Sequence, residues 1–231
     1  FTGMFAVALW HLPTRCLYLI RDRLGVKPLY YRWDGKVLCF GSELKAIRAY
    51  SGWKPEIDRD ALSDFLRYGY IADPRSIYRN VYKLPPAHIL TLADGGKPEL
   101  ARYWNVSDHL GRRQGIDEET LTDELDHLMV EAFKLRMISD VPVGVFLSGG
   151  VDSSVLAAIL QKHGEQQFKT FTIGFDDPEY DESPFAAAVA KRLGTDHHAR
   201  ILKVDDAKRL LKSWGDLYDE PFGDDSGIPT L

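Results

Sequence analysis

The sequence predicts two domains of different class, an α+β part followed by an α/β part. Three observations carry this. Short apolar runs broken by turn residues fill the first hundred positions. A polar, glycine-bearing stretch then interrupts every apolar period. Beyond it, strand-like and helix-like segments alternate, the pattern of a parallel sheet with crossover helices.

The β-rich part opens with FAVALW (5–10) and CLYLIR (16–21), separated by the proline-bearing turn HLPT. LYYR (29–32) and KVLCFG (36–41) flank Trp33-Asp34-Gly35, and Asp-Gly between two such runs predicts a hairpin. Ser42 is the expected cap of a short helix, ELKAIRA. Asp58 precedes a second helix, ALSDFLRYG, with Leu62, Phe65 and Leu66 expected on one face. VYKLPPAHILTLADGGKPELARYW then reads as a strand, a Gly-Gly turn and a returning segment.

Residues 106–116 of the polar stretch VSDHLGRRQGIDEE are the expected linker. After them, Leu121, Leu125, Leu128, Ala132 and Leu135 recur at helical spacing in TLTDELDHLMVEAFKLRM. Strand VGVFL (143–147), helix 152–163, strand KTFTIGF (169–175), helix 183–193 and strand HARILKV (198–204) follow in order. This is a βαβαβ run, and ligands of such sheets bind beyond the carboxyl ends of the strands.

Composition narrows the function classes. The chain has 231 residues, 45% apolar and 27% charged, with a formal charge of −5 and no basic run. No nucleic-acid partner is suggested. No apolar run approaches the roughly 20 residues of a spanning helix, so no membrane is expected. Cys16 and Cys39 form no CxxC pair, and a reducing cytoplasm is the default. The start inside a strand-like pattern at Phe1 and the apolar end GIPTL predict a segment of a longer protein.

The chemistry concentrates in VFLSGGVDSS (145–154), which sits where the first parallel strand meets its helix. Glycines let backbone N–H groups approach a ligand closely. The following helix adds free N–H groups and the positive end of its dipole. Ser148, Ser153 and Ser154 add hydroxyls, so the whole predicts a phosphate cradle. Asp152 is out of place beside a phosphate unless a divalent cation lies between them. The stretch lacks the lysine of GxxxxGK[ST] and the spacing of GxGxxG. The plain alternative is a glycine turn whose Asp152 and Ser153 merely cap the helix.

VFLSGGVDSS resembles the SGGxDS pyrophosphate loop (PP-loop) of the N-type ATP pyrophosphatases, which transfer AMP to an acceptor. SDVPVGVFLSGGVDSSVLAA, and TFTIGF with YDESPFAAAVAKRLGTDHH, resemble glutamine-dependent asparagine synthetases more narrowly. RDRLGVKPLYY (21–31) resembles the RDxxGxxPLYY motif of class II glutamine amidotransferase domains, and FGSELKAI the segment after it. The likeness runs from GMFAVALW to DEPFGDDSGIPT.

This resemblance implies a partial N-terminal-nucleophile (Ntn) hydrolase β sandwich over 1–105, a linker at 106–116, and the start of a parallel-sheet adenine-nucleotide α-hydrolase-like (HUP) domain over 117–231. It implies that Ser148, Gly149, Gly150, Asp152, Ser153 and Ser154 hold ATP and its pyrophosphate, with Asp152 near Mg²⁺. It places Leu147 and Ile173 beside the adenosine, although plain core packing explains both as well. It gives Asp22 the α-amino group of glutamine, against the alternative of a surface ion pair with Arg21 or Arg23. The family's amino-terminal cysteine nucleophile does not occur in this sequence, and Cys16 and Cys39 read as core residues, so the chain alone is not expected to hydrolyse glutamine. The implied substrates are glutamine, aspartate and ATP, and a homodimer of the intact protein is the further expectation.

Three rivals stay open: amidation of another carboxylate or lactam closure, a tRNA-thiolating pyrophosphatase, and a non-catalytic relative. His197 and His198, being adjacent on a strand, point to opposite faces and read as structural. The acidic run Asp219, Glu220, Asp224, Asp225 reads as a solvated loop. Ser226 and Thr230 are placed near the amino-acid pocket by resemblance only.

Overall fold

The buried positions of CLYLIR anchor the first sheet. In β2 (Cys16–Arg21), Cys16, Leu19 and Arg21 are buried. It pairs antiparallel with β1 (Ala6–His11) in register Ala6 with Arg21. This computed structural model describes residues 1–111, 115–164, 167–227 and 230. They divide into two compact units, Phe1–Gly111 with Lys212–Leu231, and Arg112–Leu211.

In the first unit, β3 (Tyr30–Trp33) and β4 (Leu38–Gly41) form the hairpin that Asp34-Gly35 predicts. Asp34 Oδ1 accepts from the N–H groups of Lys36 and Val37, which closes the turn. Helix α1 (Leu44–Arg48) follows, but its cap residue is Glu43, which makes no capping side-chain hydrogen bond, so Ser42 is not the cap. Helix α2 (Arg59–Tyr68) is capped as expected, with Asp58 accepting from the N–H groups of Asp60 and Ala61. Its inner face is Ala61, Leu62 and Phe65; Leu66 is 76% exposed and does not belong to that face.

The short strand β5 (Tyr82–Lys83) joins β3, giving a sheet ordered β4-β3-β5. Strands β6 (His88–Ala93) and β7 (Glu99–Arg102) turn at Gly95-Gly96 and complete the sheet β1-β2-β6-β7. Leu19 and Leu90 of one sheet meet Leu29 and Leu84 beside the other in one core. A second core gathers Leu44, Ile47, Ala61, Ile71, Ile77 and Val81. Cys16 is buried and Cys39 half-buried, both free. The expected linker holds a 3-10 turn at Val106–His109, and its residues 112–114 lie outside the described ones.

In the second unit, α3 (Glu118–Arg136) starts at Asp117, whose carboxylate accepts from the Thr120 N–H. The expected leucine stripe is not its packed face. Leu121, Leu125, Leu128 and Leu135 are exposed, while Val130 is buried and Phe133 and Met137 pack on the core. Two apolar sets share helical spacing on this helix, and the inward one is offset from the leucines.

Strand β8 (Gly144–Phe146), α4 (Val151–His163), β9 (Lys169–Phe175), α5 (Ser183–Leu193) and β10 (Asp196–Leu202) complete the βαβαβ run. The sheet is parallel, ordered β10-β9-β8. β10 begins two residues earlier than the apolar run HARILKV predicts and ends before α6 (Val204–Leu211). Val145, Leu147, Ala157, Leu160, Phe168, Ala186 and Ala190 form the core between sheet and helices.

The chain then returns to the first unit through α7 (Trp214–Leu217) and the segment DEPFG. From sequence this tail belongs with the second domain; by packing it folds with the first unit. No described helix is long and apolar enough to cross a membrane.

Candidate nucleotide and glutamine-side sites

The strand β8 ends at Phe146, and Leu147 carries the ladder one step further by donating its N–H to Phe171 O at 2.8 Å. Thr172 Oγ1 donates to Leu147 O. With both backbone groups engaged and its side chain 1% exposed in the core, Leu147 supports the loop from below. Its side chain is closed to a ligand, as core packing demands. Ile173, half-buried toward the carboxyl end of β9, keeps an accessible surface.

The chain next turns through Gly149 at φ +82°, the left-handed region that suits glycine. A Cβ there would lie 2.7 Å from Phe185 Cβ and 2.8 Å from Ala186 N, against the first turn of α5. Gly150 differs: φ is −69°, and only Ser148 Oγ, at 3.3 Å, would meet its Cβ. Gly149 thus serves close packing, and Gly150 keeps space open.

Ser153 ties the loop together. Its Oγ accepts from Ser148 N at 3.2 Å, lies 3.0 Å from Ser148 Oγ and donates to Gly150 O at 3.3 Å. Gly150 N donates weakly to Ser148 Oγ at 3.3 Å. Helix α4 has no side-chain cap at Gly150, unlike α2 and α3 with their aspartates. The first N–H groups of a helix have no partner within it, and here no capping side chain supplies one. Ser154 Oγ is buried and makes no hydrogen bond. Asp152 is exposed in the first turn, and no described residue bonds to its carboxylate. Glycine turn, uncapped N–H groups and clustered hydroxyls at the carboxyl end of a parallel strand can hold a phosphate-type anion. The Asp152 carboxylate, a hard oxygen donor at the edge of this cradle, suits Mg²⁺.

Asp22 is placed differently from expectation. It is 1% exposed and forms no ion pair with Arg21 or Arg23. Its Oδ1 accepts from Leu24 N and Val26 N at 3.2 and 3.0 Å, its Oδ2 from Phe5 N and Lys27 N at 3.2 and 2.9 Å. A carboxylate offers about four acceptor sites, so none is left for a ligand ammonium. Burial raises the acid's pKa, and the four N–H donors more than offset this, leaving it below the usual carboxylate range. Arg21 completes the loop by donating to the carbonyls of Lys27, Gly25 and Leu84 at 2.9, 2.8 and 2.6 Å and to Asp73 at 3.1 Å. The pair Arg21-Asp22 braces residues 22–27 from inside.

His197 Nδ1 lies 3.0 Å from Thr170 Oγ1, whereas His198 stacks on Phe171 and pairs with Asp196. They occupy opposite faces, as strand geometry requires. No group of three His, Cys, Asp or Glu side chains arranged for a metal occurs among the described residues.

The acidic run is not a solvated loop throughout. Glu220 bonds Lys83 at 2.5 Å, with both side chains largely buried, and Asp219 is also mostly covered. The sequence shows these charges but not partners more than 130 residues away. Ser226 is exposed and Thr230 Oγ1 donates to its carbonyl, a local turn.

Comparisons with known proteins divide at the same place as the sequence texture. The glutamine amidotransferase domain family matches residues 1–104, and the asparagine synthase family matches residues 124–231. A provisionally named glutamine-hydrolyzing asparagine synthetase 2 of Methanocaldococcus jannaschii is 40% identical over 235 residues, covering 100% of this chain and 45% of the relative. Glutamine-hydrolyzing asparagine synthetase 3 of Bacillus subtilis is 34% identical, covering 88% of this chain and 35% of the relative. Amidase chyE of Penicillium rubens is 32% identical, covering 88% and 32%. The chain therefore spans less than half the length of these relatives.

Proposed function

Because the chain belongs to the glutamine-hydrolyzing asparagine synthetase family, we propose that the intact protein amidates the side-chain carboxylate of aspartate with ATP. Glutamine supplies the ammonia, and AMP and pyrophosphate are released. The observation that carries this reading is the uncapped Ser148-Gly149-Gly150 turn at the carboxyl end of β8, within the half matched by asparagine synthase.

A carboxylate is a poor electrophile. Joining it to AMP makes a β-aspartyl adenylate, from which ammonia displaces AMP. Pyrophosphate leaves when the adenylate forms, so its growing negative charge needs fixed donors. Ser148, Gly149, Gly150 and Ser153 supply backbone and hydroxyl donors there, and the open space at Gly150 admits the phosphate oxygens. Ser154 Oγ is buried and unpaired, so it would reach phosphate oxygens only after the loop adjusts. Ile173 borders the adenosine, and Leu147 holds the loop that faces it. Asp152 would hold Mg²⁺, which when bound neutralises phosphate charge. Asp22 acts on the glutamine side through the loop it braces and not by contact.

In this reading residues 1–105 belong to an Ntn-type sandwich, residues 117–231 to a HUP-like domain, and 106–116 to the linker. The protein works in the cytoplasm as a homodimer. Similarity to a Penicillium amidase favours one second reading, the same amide chemistry on another carboxylate. The test is PPi release or ATP–PPi exchange by the intact protein, with aspartate set against other carboxylates. Aspartate-dependent exchange, lost in Asp152→Asn at unchanged melting temperature, supports the proposal. Full exchange by Asp152→Asn would remove the assignment of that residue, and activity only with another carboxylate would select the second reading.

A further inference from the structure

Segment 216–223 lies in the half matched by asparagine synthase but folds within the first unit, against residues of the amidotransferase half. Three tethers hold it there. At the start of α1, Lys45 N donates to Asp219 Oδ2 at 3.3 Å and Lys45 Nζ to Asp216 O at 3.2 Å. Beyond the end of α2, Gly223 N donates to Gly69 O at 2.9 Å.

The third tether is Glu220. Its Oε1 takes Lys83 Nζ at 2.5 Å, and its Oε2 takes Ile77 N at 3.2 Å. Lys83 Nζ also donates to Ile71 O at 2.5 Å. Tyr30 OH approaches Glu220 Oε1 at 3.5 Å. Burial first, then the charges of Glu220 and Asp219, push that phenol's pKa well up, so it stays protonated and a donor. The side chains of Glu220 and Lys83 are only 15% and 13% exposed. Ile71, Ile77 and Tyr30 all belong to the second core of this unit.

A covered ion pair is a poor source of net stability, because desolvation offsets most of the attraction. Its attested use is to fix register. That use is needed here, since the segment carries Asp216, Asp219 and Glu220, any of which could seek a cation. Glu220 takes a covered ammonium and a backbone N–H together, whereas Asp219 takes Lys45 N and the more exposed Lys45 Nζ, so each acid has its own seat and one docking register is selected.

We infer that Glu220, seated on Lys83, is a positioning residue that couples the two half-reactions by locking the synthetase segment 216–223 onto the amidotransferase core. This rests on the proposed function for its consequence, though not for its geometry. Ammonia released near neutral pH and lost to water becomes ammonium, which is not a nucleophile. A segment held in one register keeps glutamine turnover matched to amide formation; a loosened one lets glutamate form without product.

The test uses the intact protein and the variants Glu220→Gln, Glu220→Ala and Lys83→Met. Glutamate and amide product are counted with glutamine as donor, and amide product again with ammonium as donor. Amide hydrogen exchange at Ile77 and Gly223 is followed in parallel. The expected result is at least a threefold rise in glutamate per amide for Glu220→Ala and Lys83→Met. Ammonium-driven synthesis should stay within twofold of the parent, and exchange at both amides should be faster. Glu220→Gln, which keeps an acceptor for Ile77, should show a smaller rise and carries the test if the alanine variant does not fold. An unchanged glutamate-to-amide ratio in folded variants would overturn the coupling, and unchanged exchange would overturn the lock itself. A parent protein that makes no amide from either donor would instead refute the proposed function, and the exchange result would still decide the lock.

Discussion

Substituting alanine at Gly149 and, separately, at Gly150 distinguishes a glycine needed for packing from one needed for a ligand. At Gly149 two costs add. An L-residue held at φ +82° is strained by about 1–2 kcal/mol. The new Cβ would also stand 2.7 Å from Phe185 Cβ and 2.8 Å from Ala186 N. The latter is backbone in the first turn of α5, so relief requires moving a helix whose Ala186 and Ala190 are buried. Overpacking of this kind costs roughly 1–3 kcal/mol. Gly149→Ala should therefore destabilise the second unit by about 2–5 kcal/mol, given the sum of these two ranges.

At Gly150 neither cost applies, because φ is −69° and the only close atom is Ser148 Oγ at 3.3 Å. Stability should change by less than about 1 kcal/mol, the scale of an N-cap exchange. The methyl group would instead enter the space assigned to phosphate oxygens. Urea unfolding and ATP–PPi exchange on the intact protein separate the two effects. Gly149→Ala should lower the unfolding midpoint, whereas Gly150→Ala should lose exchange at nearly unchanged stability. A Gly149→Ala protein as stable as the parent would refute the packing argument, and a fully active Gly150→Ala protein would refute the cradle.

Three further outcomes are expected. Asp22→Asn replaces an acceptor with an NH₂ facing backbone N–H groups, which should cost about 2–4 kcal/mol for one or two buried donors left unmet. Because the folded-state pKa of Asp22 lies below its unfolded value, its stabilisation is present above the unfolded pKa and lost as pH falls through the folded one. The urea-midpoint gap between parent and Asp22→Asn should hold from pH 7 to about pH 5 and narrow once pH drops below about 4; a constant gap would contradict this. Ser153→Ala removes the hydroxyl that Ser148 N, Ser148 Oγ and Gly150 O share and should raise the KM for ATP roughly tenfold, the scale of one neutral hydrogen bond. Phe65→Ala should destabilise the first unit by about 3–5 kcal/mol, while Leu66→Ser, on the solvent side of the same helix, should change thermal stability by less than about 0.5 kcal/mol.

Sequence patterns located most elements because each obeys a local rule. The strands at Cys16–Arg21 and Lys169–Phe175 and the helix at Ser183–Leu193 fall where alternation and helical spacing put them. The discrepancies have non-local causes. The leucines of α3 and the set Val130, Phe133, Met137 share helical spacing, and only the neighbouring core decides which is buried. β10 starts at Asp196 because its ladder with β9 begins at Lys169, not where apolar residues begin. The short helix α6 has no counterpart in the sequence reading, although Val204, Ala207 and Leu211 recur there at helical spacing, and the four residues of α7 are too few to show a period. Glu220 looked solvated because its partner, Lys83, is remote in the chain.

The two glycine-bearing loops that stood out in the sequence differ in one decisive respect. In RDRLGVK, the Asp22 carboxylate spends three acceptor sites on its own loop and the fourth on Phe5 N, and Arg21 donates to three carbonyls and a carboxylate. Such a loop is complete without a ligand, so its charges are structural even though they sit in the most recognisable stretch of that half. In LSGGVDSS the balance is reversed. The helix lacks a side-chain cap, Ser154 Oγ has no partner, and Asp152 is exposed and unengaged by any described residue. Water meets the exposed helix N–H groups and the Asp152 carboxylate in the free protein, and an anion and a cation respectively can take its place. The first loop is thus closed on itself, and the second is the one proposed to bind, a distinction that residue types and spacing alone do not make.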